Sequence, residues 1–168
     1  TGIGTARGGV MIELYAIKGE TATNKPIDNP MQVAAHSYSQ KVLDGTVVEE
    51  LQERTTPKFE RARLLGNTIY ISGTAAIKGE DSATQNNTVY QAGLTMEIMN
   101  NLISRENIPV PNNGAQYDLL RIYVKHEDAI PAVKEYMNKH YATVPKHYLV
   151  SDICRPELLI EIEGVAHI

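Results

Sequence analysis

Several features that mark particular classes of protein are missing from this chain of 168 residues. It has one cysteine, so no disulfide can form within the chain, and this is typical of cytoplasmic proteins. No run of about eighteen apolar residues occurs, so we expect no membrane-spanning helix. These absences favour a globular protein of the cytoplasm.

Excess charge of either sign is also missing. The net charge is -4, and the sequence shows neither a basic stripe nor an aromatic platform on which bases could stack. Nucleic-acid binding depends strongly on such positive charge. We therefore expect no nucleic-acid partner, and a ribonuclease activity is disfavoured.

The motifs of metal, phosphate and serine chemistry are incomplete. The five histidines include no pair four residues apart with a glutamate between them, and no Cys-x-x-Cys occurs. The glycines within residues 2–9 precede a strand pattern instead of opening a helix, which disfavours a phosphate-binding loop. Ser72 precedes Gly73, but the Gly-x-Ser-x-Gly motif is not completed. We expect no metal and no cofactor.

Hydrophobic periodicity predicts one α+β domain over residues 58–168. Two strands joined by a hairpin at Gly66-Asn67 are followed by helix, strand, helix and two strands. This order favours one mixed sheet with both helices packed on one face. The predicted strands cover residues 59–65, 68–72, 117–125, 148–153 and 158–166, the helices cover 84–104 and 128–141, and a polar loop extends through 79–82.

Residues 1–57 are predicted to form an N-terminal strand and an extended lead-in. The strand pattern covers residues 10–17, a short strand is expected over 31–38, and one or two helical turns over 47–54. The chain begins at Thr1 without a methionine, which suggests the C-terminal part of a longer protein.

The last strand pattern places two acids on one face. Side chains alternate along a strand, so Glu161 and Glu163 face one way, while Ile160 and Ile162 face the other. Arg155 stands just upstream, and its planar guanidinium can bind a carboxylate through two parallel hydrogen bonds. A partly desolvated glutamate can hold and deliver a proton near neutral pH. The alternatives are a structural ion pair or a solvated strand face.

Several segments resemble the YjgF/YER057c/UK114 (Rid) family, whose members are often catalogued as endoribonuclease L-PSP. These segments are residues 69–75, the helix around Gln91, residues 118–124, and the ending Ile-Glu-Ile-Glu-Gly-Val-Ala at 160–166. The resemblance implies a chorismate-mutase-like fold, a homotrimer with small-molecule clefts between subunits, and hydrolysis of enamines or imines to keto acids. The deaminases of the family carry an arginine where this chain has His147.

A second resemblance, to the C-terminal half of chorismatases, covers residues 29–36, 62–66, 72–79 and 152–161. It implies hydrolysis of the enolpyruvyl ether of a small carboxylate without metal or cofactor. Chorismatases have Gly-His-Glu-Ser where this chain has Gly-Glu-Asp-Ser at 79–82, which argues for a different substrate or a lost activity. A non-catalytic metabolite-binding or regulatory protein is the alternative.

By position, the resemblances assign roles to two residues. The resemblance to chorismatases makes Arg155 the carboxylate-binding residue and Glu161 the acid, and these two are the predicted catalytic residues. Glu161 also matches the Rid glutamate that positions water. Ser72, Thr74 and His147 are expected to line the cleft and bind the substrate, and Cys154 is placed with these substrate-binding residues only by its neighbours, so its role stays open.

Overall fold

The computed structural model describes residues 4–5, 18, 23–43, 47–49 and 52–168. None of the helices in these ranges is both long and apolar enough to cross a membrane.

Seven strands of the described part form one mixed sheet in the order β1-β8-β7-β9-β4-β3-β2. Neighbouring strands are antiparallel, except that β7 and β8 run parallel. The strands are β1 (Gly4–Thr5), β2 (Asn24–Ile27), β3 (Ala62–Leu65), β4 (Thr68–Ala75), β7 (Gln116–Val124), β8 (Lys146–Asp152) and β9 (Ile160–His167), and a separate small hairpin consists of β5 (Ile77–Lys78) and β6 (Asp81–Ser82).

Both long helices of the described part pack on the same face of the sheet. Helix α1 (Thr88–Leu102) begins after Asn87, whose side chain accepts a hydrogen bond from the Tyr90 backbone N–H. Helix α2 (Ile130–His140) follows a short 3-10 turn over Glu127–Ala129. The core between helices and sheet includes Ala92, Met96, Met99, Leu102, Val133 and Met137 from the helices and Ile69, Leu120, Ile122, Ile160 and Ile162 from the strands. The predicted α+β fold is confirmed.

The predicted hairpin and helices are present with small shifts at their ends. Gly66 has φ 60°, a conformation that a glycine adopts without the steric cost of a Cβ atom. Residues 79–82, predicted as a loop, instead provide the turn and second strand of the β5–β6 hairpin, with Gly79 at φ 63°. The predicted strand over residues 10–17 lies outside the described part, and the domain division at residue 57 stays a prediction.

Two weak predictions before residue 58 are wrong where the structure describes them. Residues 31–38 form no strand; instead, 3-10 turns cover Ala35–Ser37 and Gln40–Val42. This segment makes an isolated bridge to Gly79 through the Met31 carbonyl and the Val33 N–H, and Arg61 donates to the Val33 carbonyl.

The second of these predictions concerns helical turns over residues 47–54. In the structure, Val48 and Glu53 form an antiparallel bridge, with a 2.9 Å hydrogen bond from the Val48 N–H to the Glu53 carbonyl. Gln52, between them, has φ 55°, which is outside the helical region.

The face of the sheet opposite the helices is called the helix-free face here. Cross-strand pairs place Glu161 of β9 beside Tyr123 of β7 and Ala75 of β4 on this face. An irregularity in the β4–β9 register falls between Ile71 and Thr74. As a result, β4 turns Ala75 toward Glu161 and turns Thr74 toward the core.

Candidate active site

A cavity of about 430 Å³ opens on the helix-free face where β4 ends and β9 begins. Three parts of the chain enclose it: the segment with the two 3-10 turns, residues 55–61 before β3, and the turn between β8 and β9. Its size suits a small metabolite. The lining residues are Tyr38, Val42, Leu43, Thr55, Pro57, Lys58, Phe59, Arg61, Gly73, Ala75, Ile77, Cys154, Arg155 and Glu161.

Glu161 is the acid that lines this cavity. Its side chain is 4% exposed, and no described residue donates a hydrogen bond to it. Burial raises the pKa of Glu161 to about 7, and the neighbouring charge of Glu163 adds to this effect. The carboxyl group can therefore hold a proton at neutral pH and deliver it to a molecule in the cavity.

Arg155 supplies a positive charge to the same cavity. It is 8% exposed, and its Nη1 donates to the Glu80 carbonyl and to Ser82 Oγ, each at 2.9 Å. Its guanidinium carbon lies 5.3 Å from the centroid of the Tyr38 ring. No described carboxylate lies within ion-pair distance of Arg155, so its charge is available to an anionic ligand.

A second arginine, which the sequence did not single out, lines the cavity as well. Arg61 is 4% exposed, and its Nη2 donates to the Val33 carbonyl at 2.7 Å and to the Tyr38 hydroxyl at 2.6 Å. Its guanidinium carbon lies 5.5 Å from the Tyr38 centroid and 5.3 Å from the Phe59 centroid. The buried Nε has no hydrogen-bond partner among the described residues. A buried cation without a carboxylate partner is costly, which favours an anion in the cavity.

Gln91 holds the turn that carries Arg155. This fully buried side chain of α1 donates to the carbonyls of Gln85 and Glu157, both at 3.0 Å, and accepts from the Leu159 N–H at 2.8 Å. The turn between β8 and β9 is thereby fixed to the helix. The Glu157 carbonyl and the Leu159 N–H need hydrogen-bond partners when they are buried, and the Gln91 side chain provides them.

The β5–β6 hairpin holds the 3-10 segment, which is one of the three parts of the chain that enclose the cavity. Glu80 accepts hydrogen bonds from the backbone N–H and the hydroxyl of Ser39, at 2.7 and 2.6 Å, and Lys41 pairs with Asp81 at 2.9 Å. These contacts hold the 3-10 segment that carries Tyr38 over the cavity. The Glu-Asp pair that departs from the chorismatase pattern therefore has a structural role in this chain.

The predicted site residues divide into two groups. Glu161, Arg155 and Cys154 come together in the cavity wall. Desolvation, and next the charge of Glu161, raise the pKa of the Cys154 thiol, which favours the neutral form over a nucleophilic thiolate.

Three residues predicted to bind substrate lie outside the lining. The Ser72 hydroxyl donates to the Glu60 carbonyl at 2.6 Å, and the Thr74 hydroxyl, in the core, donates to the Ser72 carbonyl at 3.0 Å. His147 is exposed on β8, opposite Arg121 of β7. A binding role for these three residues stays a prediction. No group of three or more His, Cys, Asp or Glu in the described ranges is arranged to hold a metal ion.

The residues missed in the sequence come from irregular segments. Tyr38 lies in the segment of 3-10 turns, whereas Phe59 and Arg61, which the sequence predicted to be part of a strand, lie before β3; no sequence motif predicts that these segments meet. The one signal was the chorismatase-like segment at residues 29–36, which ends two positions before Tyr38.

The sequence is similar to two kinds of bacterial enzyme. It is 30% identical over 171 residues to a 3-hydroxybenzoate synthase from Streptomyces hygroscopicus and 28% identical over 182 residues to a chorismatase from Streptomyces rapamycinicus. Each alignment covers 98% of this chain and 49% of the relative. The chain thus spans about half the length of the curated relatives it matches. No family model matches it.

The backbone is similar to a crystal structure of a chorismatase, with a TM-score of 0.74 and 27% identity over 86% of this chain and 44% of that one. This chain has the Rid fold and is similar to chorismatases. A member of the YjgF/YER057c/UK114 family from Mycobacterium tuberculosis matches with a TM-score of 0.56 over 87% of this chain and all of its own. At 15% identity, that likeness shows the fold alone. The resemblance expected from the sequence is confirmed.

Proposed function

We propose that this chorismatase-like Rid domain is a hydrolase that acts, without metal or cofactor, on a small carboxylate with an enol-ether group. One observation carries the proposal: a buried glutamate with a pKa of about 7 lines the same cavity as the buried guanidinium of Arg155. A proton donor beside a carboxylate-binding group is what protonation of an enolpyruvyl carbon requires. The names of the relatives, chorismatase and 3-hydroxybenzoate synthase, support a chorismatase-like enzyme.

The proposed reaction begins with transfer of the Glu161 proton to the methylene carbon of the enol ether. Water then attacks the oxocarbenium carbon, and one of its protons returns to the Glu161 carboxylate. The hemiketal collapses as the bond between this carbon and the ether oxygen breaks, and the second proton of the water goes to the departing alcohol. The products are pyruvate and the alcohol, and Glu161 ends in its starting state.

The two arginines favour an enol-ether dicarboxylate over a monocarboxylate enamine. Arg155 binds the carboxylate beside the reacting carbon, and Arg61 binds a second anionic group. Both guanidiniums lie within 5.5 Å of the Tyr38 centroid, so one small ligand can reach both. The deaminases carry their carboxylate-binding arginine at the position of His147, and the histidine found there weakens the enamine alternative.

The assembly proposed from the Rid resemblance is a homotrimer with its clefts between subunits. In support, the helix-free face presents apolar side chains that no described helix covers, and Leu149 on it is 40% exposed. Light scattering on the purified chain is expected to give the mass of three copies; a monomer at micromolar concentration contradicts the trimer. The cytoplasmic location stays a prediction.

The reaction is tested by incubating the chain with chorismate and, separately, with an enamine-generating amino acid system. Pyruvate release from chorismate supports the proposal, whereas keto acid from the enamine alone supports the deaminase reaction. Glu161→Gln is expected to lower turnover by about 10³-fold while ligand binding survives, because the amide keeps its shape but donates no carboxylic proton. Glu135→Gln, an exposed change on α2, is the matched control.

Unchanged turnover in Glu161→Gln contradicts the assignment of the acid. Thermal stabilisation by chorismate without any product, in both the wild type and the variant, selects the alternative of a non-catalytic metabolite-binding protein. The hydrolase and the non-catalytic metabolite-binding protein therefore give different results in the same pair of assays.

A further inference from the structure

Two cross-strand pairs on the helix-free face bring four polar side chains together. On β9, Glu161 and Glu163 are separated by one residue, so their Cα atoms are about 7 Å apart. On β7, Tyr123 is paired with Glu161, and Arg121 is paired with Glu163. Directly opposite residues of an antiparallel pair contact each other most readily. The simplest arrangement would therefore join Tyr123 to Glu161.

The hydrogen bonds follow a different arrangement. The Tyr123 hydroxyl donates to Oε1 of Glu163 at 2.6 Å, one step along β9 from its register partner. Nη1 of Arg121 lies 3.0 Å from the same oxygen. Glu163 thus binds the two donors of this cluster, and Glu161 accepts a hydrogen bond from no described residue.

This arrangement bears on Glu161 in two ways. A hydrogen bond donated by Tyr123 would stabilise the Glu161 carboxylate, and Glu163 prevents it by accepting that bond itself. The charge of Glu163 also disfavours a second negative charge beside it. Both effects favour the protonated form of Glu161.

We infer that Glu163 is a positioning residue for Glu161: it holds the Tyr123 hydroxyl away from Glu161 and keeps a negative charge beside it, so that Glu161 retains the proton it delivers. The inference rests on the proposed function, in which that proton reaches the substrate. The direction of the Glu161 pKa, raised first by burial and next by the charge of Glu163, agrees with it.

Other titratable and charged groups face Glu161 across the cavity, from the 3-10 segment, the residues before β3, and the β8–β9 turn. They stay unchanged in every variant below, so their influence cancels in the comparison. These groups are Tyr38, Lys58, Arg61, Cys154 and Arg155.

The test is an NMR titration of the full chain with carbonyl-labelled glutamate, in which the Glu161 signal is assigned by its loss in Glu161→Gln. In Glu163→Gln, the midpoint of the Glu161 titration is expected to fall by about one pH unit or more. Glu97→Gln removes the same charge from α1, where Glu97 pairs with Lys78 at 3.3 Å, and is expected to leave the midpoint unchanged. A Glu163→Gln midpoint that matches the wild type overturns the inference.

A double variant separates the effect of the donor from that of the charge, and Arg121→Gln keeps the test valid if Glu163→Gln does not fold. Combining Tyr123→Phe with Glu163→Gln removes the released hydroxyl, so the midpoint is expected to recover part of the fall. Arg121→Gln leaves the Glu163 charge uncompensated, so the midpoint is expected to rise; a fall in Arg121→Gln contradicts the inference.

The titration needs no turnover, so its result is independent of the proposed reaction. If chorismate gives no pyruvate but the midpoints move as expected, the proposed function fails and the coupling stands. If pyruvate is released and Glu163→Gln leaves both the midpoint and the pH profile of release unchanged, the inference fails while the proposed function stands.

Discussion

The two faces of β9 show how one strand can serve stability on one side and chemistry on the other. Ile160 and Ile162 are fully buried against the helices, in a hydrophobic core. Glu161, between them, is almost as buried, but it faces a cavity and accepts no hydrogen bond from a described residue. The first face lowers the free energy of the fold, whereas the second raises it, because a desolvated acid is costly to ionise.

The difference between the two faces indicates which of them carries a ligand-binding site. On the helix-covered face, apolar packing accounts for the burial of side chains such as Ile160 and Ile162, so their burial requires no ligand. On the opposite face, the buried charges of Arg61 and Arg155 lack a carboxylate partner among the described residues. Burial of these charges is therefore costly unless an anionic ligand binds beside them. Changes on the two faces should therefore affect different measurements.

The largest expected effect on stability comes from the helix-covered face. Ile162→Ala leaves a void in a fully buried core and is expected to cost about 3 kcal/mol of unfolding free energy. Val165→Ala, in a half-buried position on the helix-free face of the same strand, is the matched comparison and is expected to cost about 1 kcal/mol. Urea unfolding measures both. Equal costs would show that the two faces do not differ in packing as described.

An effect of similar size is expected from pH, and it belongs to the helix-free face. Because the pKa of Glu161 is raised from 4.5 to about 7, the folded state binds a proton more tightly than the unfolded chain. The unfolding free energy should therefore fall as pH rises from 4.5 to 7, by about 3 kcal/mol, and then level off.

Glu161→Gln removes this group from the titration. The difference in unfolding free energy between the variant and the wild type should grow in favour of the variant across that pH window, as measured by denaturant unfolding at each pH. A difference that stays constant with pH would contradict the raised pKa.

The smallest of these effects concerns ligand binding. Arg155→Lys keeps the positive charge but loses the planar fork, so the Kd for a dicarboxylate such as chorismate is expected to rise about tenfold. Arg63→Lys, where the arginine pairs with Glu60 outside the cavity lining, is the control and should leave the Kd unchanged. Calorimetric titration distinguishes them. An equal Kd for Arg155→Lys and the wild type would remove Arg155 from the binding site.

The sequence predicted the parts of the fold that depend on local patterns. The alternation in β7 and β9 and the stripe from Ala92 to Leu102 indicated strands and helix correctly, since burial on one face imposes a period. The same alternation placed Glu161 on the face opposite Ile160 and Ile162. Arg155 was found through a family resemblance, because no spacing rule relates it to Glu161.

What the sequence missed depends on contacts between distant segments. The 3-10 turns near Tyr38 have no periodicity, and they are held by Glu80 and Arg61, which lie about 40 and 20 residues further along the chain. Arg61 looked like an ordinary strand residue, since a sequence does not reveal which cations will be buried without a partner. Ser72 and His147 were selected for their position in a motif, but backbone contacts and exposure place them outside the cavity lining.

The proposal that Glu161 is the acid is tested most directly by the pH profile of pyruvate release from chorismate, measured for the wild type and for Glu161→Gln. If Glu161 is the acid, release at saturating chorismate should be fastest below pH 7 and fall above it, as the carboxyl group loses its proton, and release by the variant should be about 10³-fold slower and should not follow this profile. A rate that rises through pH 7 in the wild type, or the same profile in both proteins, would contradict the proposal that this buried glutamate supplies the proton.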